Sequence, residues 1–215
     1  LIKPILKTIL WKLIFMQFST KTRYGVRAMI EIALADGEQG VFQKDIAEKQ
    51  NLSVKYLDHI IAALKVENGI VHAEIRNSNV DYKLYALKVS NQIDELIKSG
   101  VEAKNITVIG ASKGAIIACN ISSLNPNEIN YVFLAGNNDY QEMNNDWKFH
   151  VKVLCIYDLS DDIAGKNYDY WESKENFTTK FEQIELKTNL GHGFLYKPLS
   201  VWVKPTQKWI LNQSL

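Results

Sequence analysis

Three residues of this sequence have the types and the order for acyl-transfer chemistry: Ser112, Asp161 and His192. A serine hydroxyl is a weak nucleophile, an imidazole can accept its proton, and a carboxylate can fix the tautomer of that imidazole. Ser112 is the centre of Gly110-Ala111-Ser112-Lys113-Gly114, a G-x-S-x-G pentapeptide. Alone the pentapeptide says little, because glycine and serine are common turn residues. Its flanks give it meaning. Ile106–Ile109 is short, apolar and β-branched, which predicts a buried parallel strand, and Ala115–Leu124 reads as an apolar helix. Strand, tight turn and helix is the context that holds a serine exposed above a sheet, and Gly110 and Gly114 are expected to let strand and helix approach closely. The amide of Lys113, next after the nucleophile, is the expected oxyanion donor.

The elements that must position these groups follow in order. Tyr82–Lys98 is an amphipathic helix closed by Gly100. Tyr131–Ala135, Val151–Tyr157 and Phe181–Leu186 are strands, and Leu199–Leu211 is a closing helix. Strands alternating with helical stretches indicate a parallel α/β sheet. Asp161 lies just beyond the strand Val151–Tyr157, and His192 lies in the glycine-flanked loop Gly191-His192-Gly193 after the last strand. Asp158 and Asp162 are alternative acids, and His192 also reads as a loop histidine satisfied by backbone.

Serine, aspartate and histidine in that chain order, each past a strand's C-terminal end, is the arrangement of α/β-hydrolases. The stretches Glu74-Ile75-Arg76, GVEAKNITVIGASKGAIIA, NYVFLAG, SDDIAG and LGHGFLYKP resemble a small bacterial α/β-hydrolase group, from about Ala73 to the end. The resemblance implies a serine hydrolase acting on a small-molecule ester, thioester or amide, with no cofactor. It is incomplete. Such a hydrolase has several strands before the one represented by Ile70–Ile75, and a loop after an early strand, often His-Gly, supplies the second oxyanion donor. The expected domain, residues 72–215, is therefore truncated at its N-terminal side, and losing one donor costs roughly 10²–10³ in rate.

Residues 16–71 read differently. Thr20–Asp36 places Val26, Met29, Ile30, Ala33 and Leu34 at helical spacing, and Gly37 ends the run. Phe42–Gln50 is a second short helix. Ser53 is an N-cap for a third, with Leu57, Ile60, Ile61 and Leu64 on its buried stripe. Three such helices form a small all-α helix-turn-helix domain whose third helix enters the DNA major groove, presenting Lys55, Tyr56 and His59. MQFSTKTRYGVRAMIEIAL, DIAEKQNLSVKYLDHIIAAL and NGIV resemble the start of the Rrf family of bacterial transcription regulators, which includes IscR, NsrR and CymR. The resemblance implies double-stranded DNA as a partner, with Ser19, Lys21 and Tyr24 near phosphates and Ser53, Lys55 and Tyr56 near the groove. Phosphate contacts of this kind fix register without reading sequence. The family's glycine-rich wing is replaced by Arg76-Asn77-Ser78-Asn79-Val80-Asp81-Tyr82, and its long dimerisation helix is not evident. The clustered cysteines of its iron–sulfur members are absent as well, so no cluster is expected.

Composition bounds the rest. At 47% hydrophobic and 23% charged, the 215 residues are those of an ordinary globular chain. Residues 1–71 hold ten Lys/Arg against seven Asp/Glu, and the remainder fifteen against seventeen, so a mildly basic front precedes a mildly acidic rear. Cys119 and Cys155, the two cysteines, both fall in apolar stretches and read as buried thiols of a cytoplasmic protein, without metal-ligand spacing. Leu1–Phe15 is apolar but interrupted by Lys3, Lys7 and Lys12, too short to span a bilayer. With Met16 directly after it, the segment reads as upstream sequence outside both domains.

Both resemblances fail around Gly69–Arg76, as at a join between two genes. One accommodation is that Ile70–Ile75 leaves the helix-turn-helix and serves as the edge strand of the sheet. Three functions fit: a serine hydrolase, a DNA-binding regulator with a non-catalytic rear, and a non-functional fusion. Oligomeric state is not legible.

Overall fold

A computed structural model describes residues 60–67, 69–73 and 80–215 of the chain. They lie in one compact unit, Leu57–Leu215; the other unit, Leu1–Tyr56, lies outside the described residues.

Among the described residues a four-stranded sheet runs β1 (Thr107–Ala111), β2 (Asn130–Leu134), β3 (His150–Asp158) and β4 (Phe177–Leu186), in that spatial order and parallel throughout. Helix α1 (Tyr82–Lys98) precedes β1, α2 (Lys113–Leu124) joins β1 to β2, and α5 (Ser200–Ile210) follows β4. Two short helices, α3 (Asp139–Asn144) and α4 (Asp169–Glu172), sit in the connections on either side of β3. The parallel α/β architecture is the one that the alternation of strand and helix predicts.

Alternate residues of the central strands divide the core into two layers, as a pleat with both faces covered requires. Tyr131 and Phe133 of β2 join Val153, Cys155 and Tyr157 of β3 on the face covered by α1 and α2. Val132 and Leu134 join Leu154 and Ile156 on the other face, against Trp202, Val203 and Trp209 of α5. Every residue of β2 is buried, which explains why Tyr131–Leu134 reads as an apolar run, and the buried Asn130 donates from Nδ2 to the Lys104 carbonyl at 2.9 Å. Cys119 and Cys155 are free buried thiols whose titration burial pushes well up.

The local signals act where expected. Asp81 caps α1, its carboxylate accepting from the amides of Lys83 and Leu84 at 2.8 and 3.1 Å. Gly100 ends that helix region at φ 103°. The structure departs from the sequence reading in three places. Residues 70–73 are not a strand and Ile70 is 99% exposed, so that part of the expected edge strand does not form; residues 74–79 lie outside the described residues. Strand β4 begins at Phe177, four residues before Phe181, because Phe177 and Thr178 pair with His150 and Val151 across a register shift in β3. Helices α3 and α4 are too short to announce themselves by periodicity. The helical residues 60–64 pack Ile60, Ala63 and Leu64 against the α5 side of the core, and the Ala63 carbonyl accepts from Gln207 Nε2 at 2.8 Å.

Candidate active site

Ser112 lies between β1 and α2 with φ 55° and ψ −122°. Positive φ is costly for any residue with a Cβ, so the turn is held by its surroundings. The Ser112 amide donates to the Leu134 carbonyl at 2.8 Å, extending the β1–β2 ladder, and the Ser112 carbonyl accepts from Ala115 at 2.9 Å. The turn is also tight in space. A Cβ on Gly110 would stand 2.2 Å from the Gly114 carbonyl oxygen, so strand and helix approach as they do only because Gly110 has no side chain. A Cβ on Gly114 would meet nothing within 4 Å among the described residues; the close approach depends on Gly110 alone of the two.

His192 reaches this serine from the short 3₁₀ helix Gly191–Tyr196 after β4, not from the open loop that its flanking glycines suggest, and Asn189 and Gly191 at its entry both adopt φ 56°. Its Nε2 is 2.9 Å from Ser112 Oγ and its Nδ1 is 2.7 Å from Asp161 Oδ2. A carboxylate can only accept, so the proton of a neutral His192 sits on Nδ1 and leaves Nε2 as the acceptor facing the hydroxyl. The Asp161 side chain is fully buried, and that of His192 is 16% exposed. Asp161 Oδ1 accepts from the amides of Ile163 and Ala164 at 2.9 and 3.1 Å, which locks the carboxylate in an Asx turn. Burial pushes the Asp161 carboxyl up. The hydrogen bond from His192, the two amides and the charge of His192 together outweigh this and hold it below its ordinary value.

The neighbouring acids are placed otherwise. Asp158, at the end of β3, is fully buried and accepts from Ser160 and Thr188. Asp162 is exposed. Of the three, Asp161 is the one brought to His192. Lys113 is the first residue of α2, where the opening amides of a helix have no intrahelical acceptor and the macrodipole favours negative charge. Its Nζ reaches the Val80 carbonyl at 3.4 Å. The DNA-facing residues of the sequence reading, Ser19, Lys21, Tyr24, Ser53, Lys55, Tyr56 and His59, all lie outside the described residues. Sequence reasoning singled out Asp158 only as an alternative acid, and it missed Ser160 and Thr188; isolated hydroxyls on loops carry no spacing signal. Among the described residues no group of His, Cys, Asp and Glu could hold a metal ion, and no helix is long and apolar enough to cross a membrane.

Comparison with known proteins finds similarity for the front of the chain in sequence and for much of the chain in fold. Residues 18–75 match the model of the family Rrf2, described as an iron-dependent transcriptional regulator. Protein rrf2 of Nitratidesulfovibrio vulgaris is 46% identical over 50 residues, covering 23% of this chain and 33% of that protein. The putative HTH-type transcriptional regulator ORF2 of Azotobacter vinelandii is 31% identical, covering 46% of this chain and 59% of that protein. The HTH-type transcriptional regulator IscR of Cereibacter sphaeroides is 32% identical, covering 46% of this chain and 65% of that protein. The chain thus spans between a third and two thirds of the length of these relatives. A solved structure similar to it is SOBER1 of Arabidopsis thaliana, 18% identical with a TM-score of 0.45, covering 63% of this chain and 67% of that one. A likeness of that degree speaks to neither activity nor substrate. What the matches show is that residues 18–75 are similar to Rrf2 regulators, in a chain whose described residues from Thr107 on form a parallel α/β sheet.

Proposed function

We propose that the rear of the chain, residues 72–215, is a serine hydrolase for ester, thioester or amide bonds in small molecules. Ser112 Oγ attacks the substrate carbonyl carbon and its proton passes to His192 Nε2. The tetrahedral oxyanion meets the Lys113 amide at the head of α2. Collapse breaks the bond to the alcohol, thiol or amine, which leaves with the proton from Nε2, and water then releases the acid by the same two transfers. Asp161 holds the imidazole in the required tautomer and stabilises the imidazolium. One observation carries this reading: an unbroken chain of hydrogen bonds from Ser112 Oγ through His192 to Asp161, on a serine with φ 55° and ψ −122°.

The test is labelling of the full chain with a fluorophosphonate probe, comparing wild type with Ser112→Ala and His192→Ala. Labelling abolished by both substitutions is the expected result. A folded wild type that stays unlabelled overturns the reading.

A second activity rests on a separate observation, the Rrf2 match over residues 18–75. The front is proposed to bind double-stranded DNA through Ser19, Lys21, Tyr24, Ser53, Lys55, Tyr56 and His59. Duplex capture that survives deletion of everything after Val71 would assign it to the front alone; loss of capture on Lys55→Ala with Tyr56→Ala would place it on the third helix. A full chain that selects no duplex from a random-sequence pool overturns it.

A further inference from the structure

The Asp158 carboxylate accepts four hydrogen bonds, all from two segments that flank the site. Its Oδ1 accepts from the Ser160 amide at 2.9 Å and the Ser160 hydroxyl at 2.6 Å. Its Oδ2 accepts from the Thr188 amide at 2.8 Å and the Thr188 hydroxyl at 2.6 Å. An ionised carboxylate has no proton to give, so both hydroxyls must turn their hydrogens toward it. Their lone pairs then face the loop that carries His192. The Ser160 oxygen accepts from the Gly191 amide at 3.0 Å, and the Thr188 oxygen accepts from the Leu190 amide at 3.3 Å. Leu190 and Gly191 are the two residues directly before His192.

The backbone of the same residue meets the loop that bears the acid. The Asp158 carbonyl accepts from the Asp161 amide at 2.9 Å, and a Cβ on Gly165 would lie 2.3 Å from that carbonyl oxygen, so the loop bearing Asp161 closes tightly over it. The Asp158 side chain is fully buried. Burial pushes its carboxyl up, and the hydrogen bonds from Ser160 and Thr188 outweigh this and keep it below its ordinary value.

We propose that Asp158 is a positioning residue for the site: through the Ser160 and Thr188 hydroxyls it ties the acid loop to the histidine loop and sets the His192 imidazole against Asp161 and Ser112. The proposal rests on the hydrolase reading for its catalytic meaning, though the geometry it invokes can be measured without turnover. Replacing the carboxylate with an amide puts an N–H₂ where one pair of donors now points. At least one hydroxyl must then turn round, and its loop amide loses an acceptor.

The experiment compares full-length wild type with Asp158→Asn, Thr188→Val and Thr188→Ser. Two quantities are read: the fluorophosphonate labelling rate per folded molecule, and the imidazole ¹⁵N shifts of His192, assigned by their loss in His192→Ala. Asp158→Asn and Thr188→Val are expected to slow labelling roughly tenfold to a hundredfold, the range for a displaced catalytic group, and to move the His192 shifts. Thr188→Ser, which keeps the hydroxyl, is expected to stay near wild type in both. A merely structural role would lower the unfolding midpoint and leave both readouts unchanged in the folded fraction, and that result overturns the proposal. If Asp158→Asn does not fold, the Thr188 pair decides alone. If wild type does not label, the hydrolase reading fails and the ¹⁵N shifts decide: unchanged shifts in Thr188→Val overturn the positioning role.

Discussion

Two buried carboxylates three residues apart have different partners, and the difference fixes what each substitution should do. Asp161 faces an imidazole. Asp161→Asn keeps the shape and favours the wrong tautomer, with Nδ1 accepting and the proton on Nε2, where it cannot receive the serine's proton. Labelling should fall by about 10⁴-fold, as for the corresponding change in a studied serine protease, with the unfolding midpoint little altered. Asp158 faces only neutral donors. Both carboxyls are held below their ordinary values by hydrogen bonds that outweigh burial. For a depressed carboxyl the unfolded state takes up protons first as pH falls. The stability that these groups contribute is therefore fully present above the unfolded value of about 4 and lost as pH drops through the folded values. Urea midpoints measured from pH 7 to pH 3 should hold steady to about pH 4.5 and then fall, less steeply in Asp158→Asn.

At the scale of elements, the turn between β1 and α2 is decided by one missing methyl group. Gly110 would place its Cβ 2.2 Å from backbone of α2, and backbone cannot move aside as a flexible side chain can. Gly110→Ala is expected to destabilise the unit by about 3 kcal/mol, the upper part of the usual range for overpacking, and to abolish labelling by displacing Ser112. Gly114→Ala meets open space in the first turn of the same helix. It should be neutral or stabilise by up to about 1 kcal/mol through helix propensity. Paired urea denaturations check both, and similar losses in the two variants would refute this account of the turn. Strand pairing matters as much. The β1–β2 and β3–β4 registers bring Ala111, Leu134, Asp158 and Leu186 to one end of the sheet, which is where the three loops of the site begin.

For the whole molecule, the front and rear of the chain are expected to behave as separate activities. Residues 18–75 are similar to a family of transcription regulators, and the duplex binding proposed for them should be dominated by phosphate contacts. With six or more such contacts, affinity for a selected duplex should fall by about 10³-fold between 50 and 200 mM salt. Fluorescence anisotropy across that range checks this, and a flat salt response would exclude phosphate-led binding. Fluorophosphonate labelling at Ser112 should be unchanged over the same range, because its hydrogen-bonded chain is shielded from ions by burial of Asp161.

Composition and periodicity along the chain were enough to read the parallel α/β class, helix Tyr82–Lys98 to the residue, the strand cores and the strand–Ser112–helix turn. These features are encoded locally: β-branched runs, a capping aspartate, a glycine stop and a pentapeptide each act within a few residues. The order of Ser112, Asp161 and His192 was legible for the same reason, since each follows a strand that is itself legible. Which of Asp158, Asp161 and Asp162 meets the histidine was not. The three share a loop and a residue type, and the choice rests on an Asx turn and on pairings 31 and 80 residues apart in the chain. Helices α3 and α4 escaped because four to six residues carry less than two turns of period. The failure of residues 70–73 to form a strand, and the clamp of Ser160 and Thr188 on Asp158, escaped because no local signal records what the sheet brings to its edge or to its loops. Local propensity determined the elements; only the parallel register, which sets loops distant in sequence side by side, decided which carboxylate serves the histidine and which one holds the loops.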